Sequence, residues 1–218
     1  MKYLSILWIF TLLLSCIGKE GNKKDLQLTA PHQKTVAKKD STVSAVPATT
    51  KIPKDSLNEV MQEDDILFNG KLKRFFSLND FEKVFGKADS IKLMSEEAPC
   101  TYIFENPDGS KDMNDRYLYK NGSRFENTQN KVAVDEFRFL NGNYILYKGI
   151  KIDTRTTLND LKPIFPNAIR NIGTLDVYEE GKFQVIQLRE DHEGISDGHL
   201  NLFFKNNRIF FMHWWFPC

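Results

Sequence analysis

Ser77-Leu78-Asn79-Asp80-Phe81 and Thr157-Leu158-Asn159-Asp160-Leu161 carry the same message at positions eighty residues apart. In each, a hydroxyl residue is followed three places on by Asp. Such a pair opens a helix: the hydroxyl caps a free backbone N–H, and the acid caps another and meets the helix dipole. Leu78, Phe81, Val84 and Phe85 then fall on one helical face, and Gly86 supplies a stop. Leu158, Leu161, Ile164 and Phe165 take the matching places in the second stretch. Pro163 breaks the match. It removes a helical hydrogen bond, so the second helix is expected to be kinked, short or shifted.

Working outward, strand-like runs surround each helix. Before the first lies 66–75 (ILFNGKLKRF), and after it come 100–105 (CTYIFE), 115–126 and 132–140. Before the second lies 144–152 (YILYKGIKI), and after it come 182–189, 199–205 and 208–216. Asn121-Gly122, Asn141-Gly142 and Asn206-Asn207 punctuate them as turns. Each unit therefore reads β-α-β-β-β. The expected fold is α+β, two β-α-β-β-β repeats of antiparallel sheet with one short helix packed on each. The expected boundaries are 61–142 for the first repeat and 143–218 for the second.

The last run is apolar on both of its alternating faces, Phe210, Met212, Trp214, Phe216 and Ile209, Phe211, His213, Trp215. A sheet with helices on one side is expected to have one wet face. Aligning Val132 with Ile209 sets Val134, Glu136 and Arg138 beside Phe211, His213 and Trp215. Charged Glu136 and Arg138 point to solvent, so this is the face expected to be exposed. Phe211, His213, Trp215, Glu136 and Arg138 are the candidate binding face. The alternative is that the linker or the other sheet covers it.

The layout, with Val84-Phe85-Gly86-Lys87-Ala88-Asp89 after the first helix opener, resembles the tandem fold of the β-lactamase inhibitor protein and of the small SmpA/OmlA outer-membrane lipoproteins. In that family the first helix is commonly followed by a similar Phe-Gly-Lys-Pro-Asp phrase. The resemblance covers roughly residues 66–216. It implies a protein-binding scaffold and brings no catalytic residues.

The N-terminus is an address. Lys2 precedes an uncharged apolar run, Tyr3 to Leu14, which is shorter than the about 20 residues of a spanning helix and has the length of a signal-peptide core. Its end, Leu13-Leu14-Ser15-Cys16, resembles the bacterial lipobox. That resemblance implies a signal peptide at 1–15 and acylation of Cys16, where several chains give stable anchoring. Ile17 stands where enteric lipoproteins carry an Asp that retains them in the inner membrane. The expected location is the cell envelope, lipid-anchored in the outer membrane and facing the periplasm.

Residues 17–60 contain no Phe, Tyr or Trp, and eight Lys face five acids. They cannot bury enough apolar surface to offset ordering entropy. With Cys16 they read as a tether, 16–60. Twenty-four of the chain's aromatics follow it.

Composition excludes several functions. The net charge of +1 argues against nucleic acid as a partner. Three cysteines do not make a disulfide scaffold or a four-cysteine zinc site. With Cys16 lipidated, Cys100 and Cys218 are the candidate disulfide of an oxidising compartment. The acidic stretches 106–112 and 190–199 have metal-ligand residue types without metal-ligand spacing, so they read as ordinary loops and no metal or cofactor is expected. No nucleophile elbow, phosphate loop or H-E-x-x-H occurs, and the expectation is not an enzyme. The reading is a non-enzymatic module that binds an envelope protein. Its rivals are a periplasmic immunity or inhibitor lipoprotein, an outer-membrane assembly or maintenance factor, and a hydrolase.

Overall fold

Ser77 and Thr157 cap helices. In the computed structural model, which describes residues 57–217, the backbone N–H of Asp80 donates to Ser77 Oγ at 3.1 Å and opens helix α1, Leu78–Phe85. Gly86 ends it at a φ of 80°, a conformation that costs a glycine little. Thr157 and Asp160 form a reciprocal capping box at the head of α3, Leu158–Leu161. The break anticipated at Pro163 is present. The helix stops after four residues and resumes as α4, Pro166–Arg170.

One further short helix, Met94–Glu97, lies between α1 and α3, so in the labelling that follows it is α2 and the others keep their numbers in chain order. The strands are β1 (Ile66–Phe68), β2 (Phe75–Ser77), β3 (Ser90–Leu93), β4 (Arg116–Lys120), β5 (Ser123–Thr128), β6 (Lys131–Arg138), β7 (Tyr144–Tyr147), β8 (Ile150–Asp153), β9 (Gly173–Val177), β10 (Gly181–Arg189), β11 (His199–Lys205) and β12 (Arg208–Trp215). The architecture is α+β: antiparallel sheets with few short helices. One large sheet runs β3-β4-β5-β6-β12-β11-β10-β9, with β2 also paired to β6. A small sheet runs β1-β7-β8.

Several elements differ from the sequence reading. The stretch 100–105 is not a strand; Glu126 takes its Ile103 and Phe104 N–H groups in place of a ladder. The run 66–75 divides between two sheets because Asn69 and Gly70, both at positive φ, reverse the chain after β1. The run 144–152 is a hairpin, turning at Lys148 (φ 48°) and Gly149 (φ 81°) as a two-residue loop requires. The short edge strands β3 and β9 and the helices α2 and α4 add to the expected β-α-β-β-β order.

The core is continuous across both halves. Phe81, Phe85 and Phe125 pack with centroids 5.1–5.5 Å apart, and Phe68 meets Phe137 edge-on at 4.8 Å. From the second half, Tyr147 packs on Phe165 at 5.6 Å. Each such ring contributes about 1.5–3 kcal/mol by leaving water. The Arg74 guanidinium sits 4.3 Å from the Trp214 ring centre and pairs with Glu63 at 2.9 Å, joining the first half to β12.

Folding also begins before residue 61. Glu59 accepts the Asn167 and Ala168 N–H groups at 2.8 and 2.9 Å, capping α4, and Val60 bridges Arg189 on β10. The end of the expected tether thus belongs to the body. The expected signal peptide, Cys16 and the rest of the tether lie outside the described residues.

Candidate functional site

Two β-bulges decide which side chains share the solvent side of the large sheet. Opposite Arg124 and Phe125 of β5, strand β6 offers Glu136 and Val134 and leaves Asp135 as the extra residue. Opposite Phe203 and Phe204 of β11, strand β12 offers Phe211 and Ile209 and leaves Phe210 extra. A bulge breaks strict alternation. Val134 therefore joins the core with Val132, Phe137 and Phe139 instead of sharing the face of Glu136. Ile209 likewise joins the core with Met212 and Trp214, and Phe210 moves beside Phe211.

At the seam of the sheet, β12 lies antiparallel to β6 with Phe211 opposite Arg138 and His213 opposite Glu136. Trp215, near the strand end, is 43% exposed and stacks on His199 with 5.7 Å between ring centres and a 10° tilt. Phe211 corrects the expectation of an exposed stripe, being only 2% exposed. It stacks on Phe203 at 4.0 Å and meets Phe183 edge-on at 5.4 Å. Among the described residues the Arg138 guanidinium covers it, 5.0 Å above the ring, locked by Glu136 at 2.7 Å and by a two-pronged bond to Glu180.

Beside this aromatic patch is a charged cluster that the sequence reading did not single out. Asp135 accepts from Arg124 Nε, and its Oδ1 lies 3.5 Å from His213 Nε2. Burial pushes the Asp135 carboxyl up, but the bond to His213 and the Arg124 charge prevail and hold it below its ordinary value of 3.8. The Arg124 guanidinium also lies 5.0 Å over the Tyr117 ring. Burial, seconded by the Asp135 charge, raises the Tyr117 hydroxyl. These groups line a cavity of about 230 Å³ together with Trp215, Pro99, Cys100 and Thr101. The signal was present in the sequence as Asp135-Glu136, adjacent acids within a strand, which only a bulge can put on one face.

The chain matches no family model, and no curated protein or solved structure matches it.

The remaining candidates are placed as follows. Cys100 is disulfide-bonded, while Cys218 and Cys16 lie outside the described residues. The acidic loops close on themselves. Asp191 accepts the N–H groups of Gly194, Ile195 and Ser196, and Asp108 that of Ser110. Among the described residues no three His, Cys, Asp or Glu side chains converge as metal ligands would. Among them also, no helix is long and apolar enough to cross a membrane.

Proposed function

We propose that this chain is a lipid-anchored envelope protein that binds a protein partner, without catalysis, at the seam between β6 and β12. One observation carries the reading. Trp215, half in solvent, and the Arg124–Asp135–His213 cluster line the same cavity. Exposed tryptophan beside a pocket with fixed polar groups is the composition of a protein-binding hot spot.

The two halves are read as diverged copies of one α+β unit, 61–142 and 143–218. The order of the large sheet supports this. From one edge it runs β3 to β6, from the other β9 to β12, and the two last strands meet in the middle. The helix caps also occupy like places: Ser77 pairs with Lys131 at the start of β6, and Thr157 bridges Arg208 at the start of β12. The kinship with SmpA/OmlA lipoproteins is part of the proposal, as is the outer-membrane location.

The test is a photo-crosslinking residue at position 215 in the lipidated chain in its native envelope, with exposed Tyr178 as the control position. A discrete crosslinked partner at 215 and none at 178 is the expected result. Equal labelling at both positions, or none, overturns the reading. In the same cells Cys16→Ala is expected to release the protein from the membrane fraction; retention would remove the anchor from the proposal.

A further inference from the structure

The large sheet ends on one side at β3, Ser90–Leu93. Strand β4 pairs with one edge of it, Ile91 opposite Leu118 and Leu93 opposite Arg116. The other edge meets no strand among the described residues, and all four residues of β3 are exposed. Such an edge presents backbone N–H and C=O groups that a further strand can pair.

This edge borders a cavity of about 340 Å³. Leu78 and Phe81 of α1, Ala88 between helix and strand, Ile91 of β3 and Leu118 of β4 supply its apolar lining. Ile91 shares the face of Leu118, which belongs to the core, yet it is 54% exposed. Its apolar surface is left uncovered at the place where a further strand would lie.

Alternation fixes which residues of an added strand reach the cavity. Side chains directly opposite one another share a face of the sheet. A residue set opposite Ile91 therefore points to the side of α1, and its two neighbours point away. A residue set opposite Leu93 returns to the cavity side, beside Arg116. Charge selects what stands there. Lys87 and Arg116 line the cavity with one acid, Glu82. Arg116 Nε donates to the Asn114 carbonyl at 3.3 Å, and among the described residues neither cation has an ion-pair partner.

We propose that β3 accepts an extended peptide segment as an added antiparallel strand, with an apolar residue opposite Ile91 filling the cavity and an acid two places before it meeting Arg116. Backbone pairing supplies the affinity, while the cavity and its cations choose the side chains. A second copy of the chain sets Asp89 at the acidic place, but Lys120 and the Asn121 N–H already hold that carboxylate. Two strands separate β3 from β6, so the site does not rest on the partner proposed for the seam.

The experiment titrates a C-terminally dye-labelled peptide, Glu-Val-Leu-Val-Thr, with the full chain, reading anisotropy and then hydrogen exchange on the complex. Saturable binding is expected, with exchange slowed at residues 90–93 and unchanged in β9 and β12. Two further peptides carry backbone N-methyl groups, one on both valines and one on the leucine. Successive N–H groups point to opposite edges of a strand, so one of the two is expected to bind about tenfold more weakly and the other to retain its affinity. Replacing the peptide's Glu by Lys is expected to weaken binding about tenfold, and Arg116→Gln should remove most of that difference. Ile91→Asp, at an exposed position, should abolish binding in a folded chain. No saturable binding, or equal loss with both methylated peptides, overturns the proposal. So does slowed exchange in β12 without slowing at 90–93, which moves the peptide to the seam. A dimer in sedimentation that Ile91→Asp dissociates gives the edge to a second copy and overturns it as well.

Discussion

His213 and Asp135 meet across the seam between the two halves, with Nε2 3.5 Å from Oδ1. The carboxylate also holds Arg124, so one acid on the extra residue of a bulge binds partners from the strands on either side, β5 and β12. Removing one member of such a group leaves the others part-buried and unmatched.

Asp135→Asn tests that dependence. Arg124 keeps its charge and loses its counter-ion. Because about a third of the Arg124 side chain is in solvent, screening reduces the loss below that of a fully buried pair, and about 2 kcal/mol is expected in urea unfolding. The sign with pH follows from a folded value below 3.8. The stabilisation is complete above the unfolded value and disappears as pH falls through the folded one. The difference between the native chain and the variant should therefore shrink as pH drops below about 4. A gap that persists unchanged into acid would mean the cost is steric.

Arg138 is the lid on Phe211. Arg138→Ala deletes the fork to Glu180 and bares the ring, at an expected cost of about 2–3 kcal/mol with a gain in binding of an apolar dye. Arg138→Lys retains the charge but not the fork, and should fall between the two. If the alanine variant binds no more dye than the native chain, another group covers Phe211.

Asn201 buries an amide oxygen without a partner among the described residues. It is 3% exposed, opposite His213 on β12, and its Oδ1 has no hydrogen-bond partner. Replacing an unsatisfied buried group by an apolar one of similar shape is neutral or better. Asn201→Leu is expected to raise stability by about 1 kcal/mol, read as a higher melting temperature. A loss of that size would show that the amide has a bonding role.

What was legible in the sequence was local. Ser77 and Thr157 as caps, Pro163 as a break and Asn121-Gly122 as a turn each depend on a few adjacent residues and on rules that burial does not override. What was not legible was set by pairing. Residues 100–105 have the composition of a strand, but a strand needs a neighbour, and the nearest acceptor for their N–H groups is the Glu126 carboxylate. The bulges at Asp135 and Phe210 shift every later side chain by one face, and apart from the adjacent acids Asp135-Glu136 nothing near those residues marks the shift. The covering of Phe211 has no local signature, because Arg138 and Glu180 are forty-two positions apart in the chain. The charged cluster in the cavity was missed for the same reason: Arg124, Asp135 and His213 become neighbours only when β5, β6 and β12 are paired.

Glu59 marks where the linker becomes part of the body. Its carboxylate caps α4, while Asn58 donates to the Gln187 carbonyl and accepts from Arg189 through its own backbone oxygen. Glu59→Ala removes two charge-assisted bonds to the first turn of a five-residue helix, too short to persist without them. The expected result is a loss of about 1 kcal/mol, with faster hydrogen exchange confined to residues 57–61 and 166–170. Glu59→Gln, which keeps one acceptor oxygen, should recover part of the protection. If exchange rises at 57–61 alone, α4 is held by its packing and Glu59 serves only to fasten the linker. If it rises at 166–170 alone, Asn58 and Val60 suffice for the fastening.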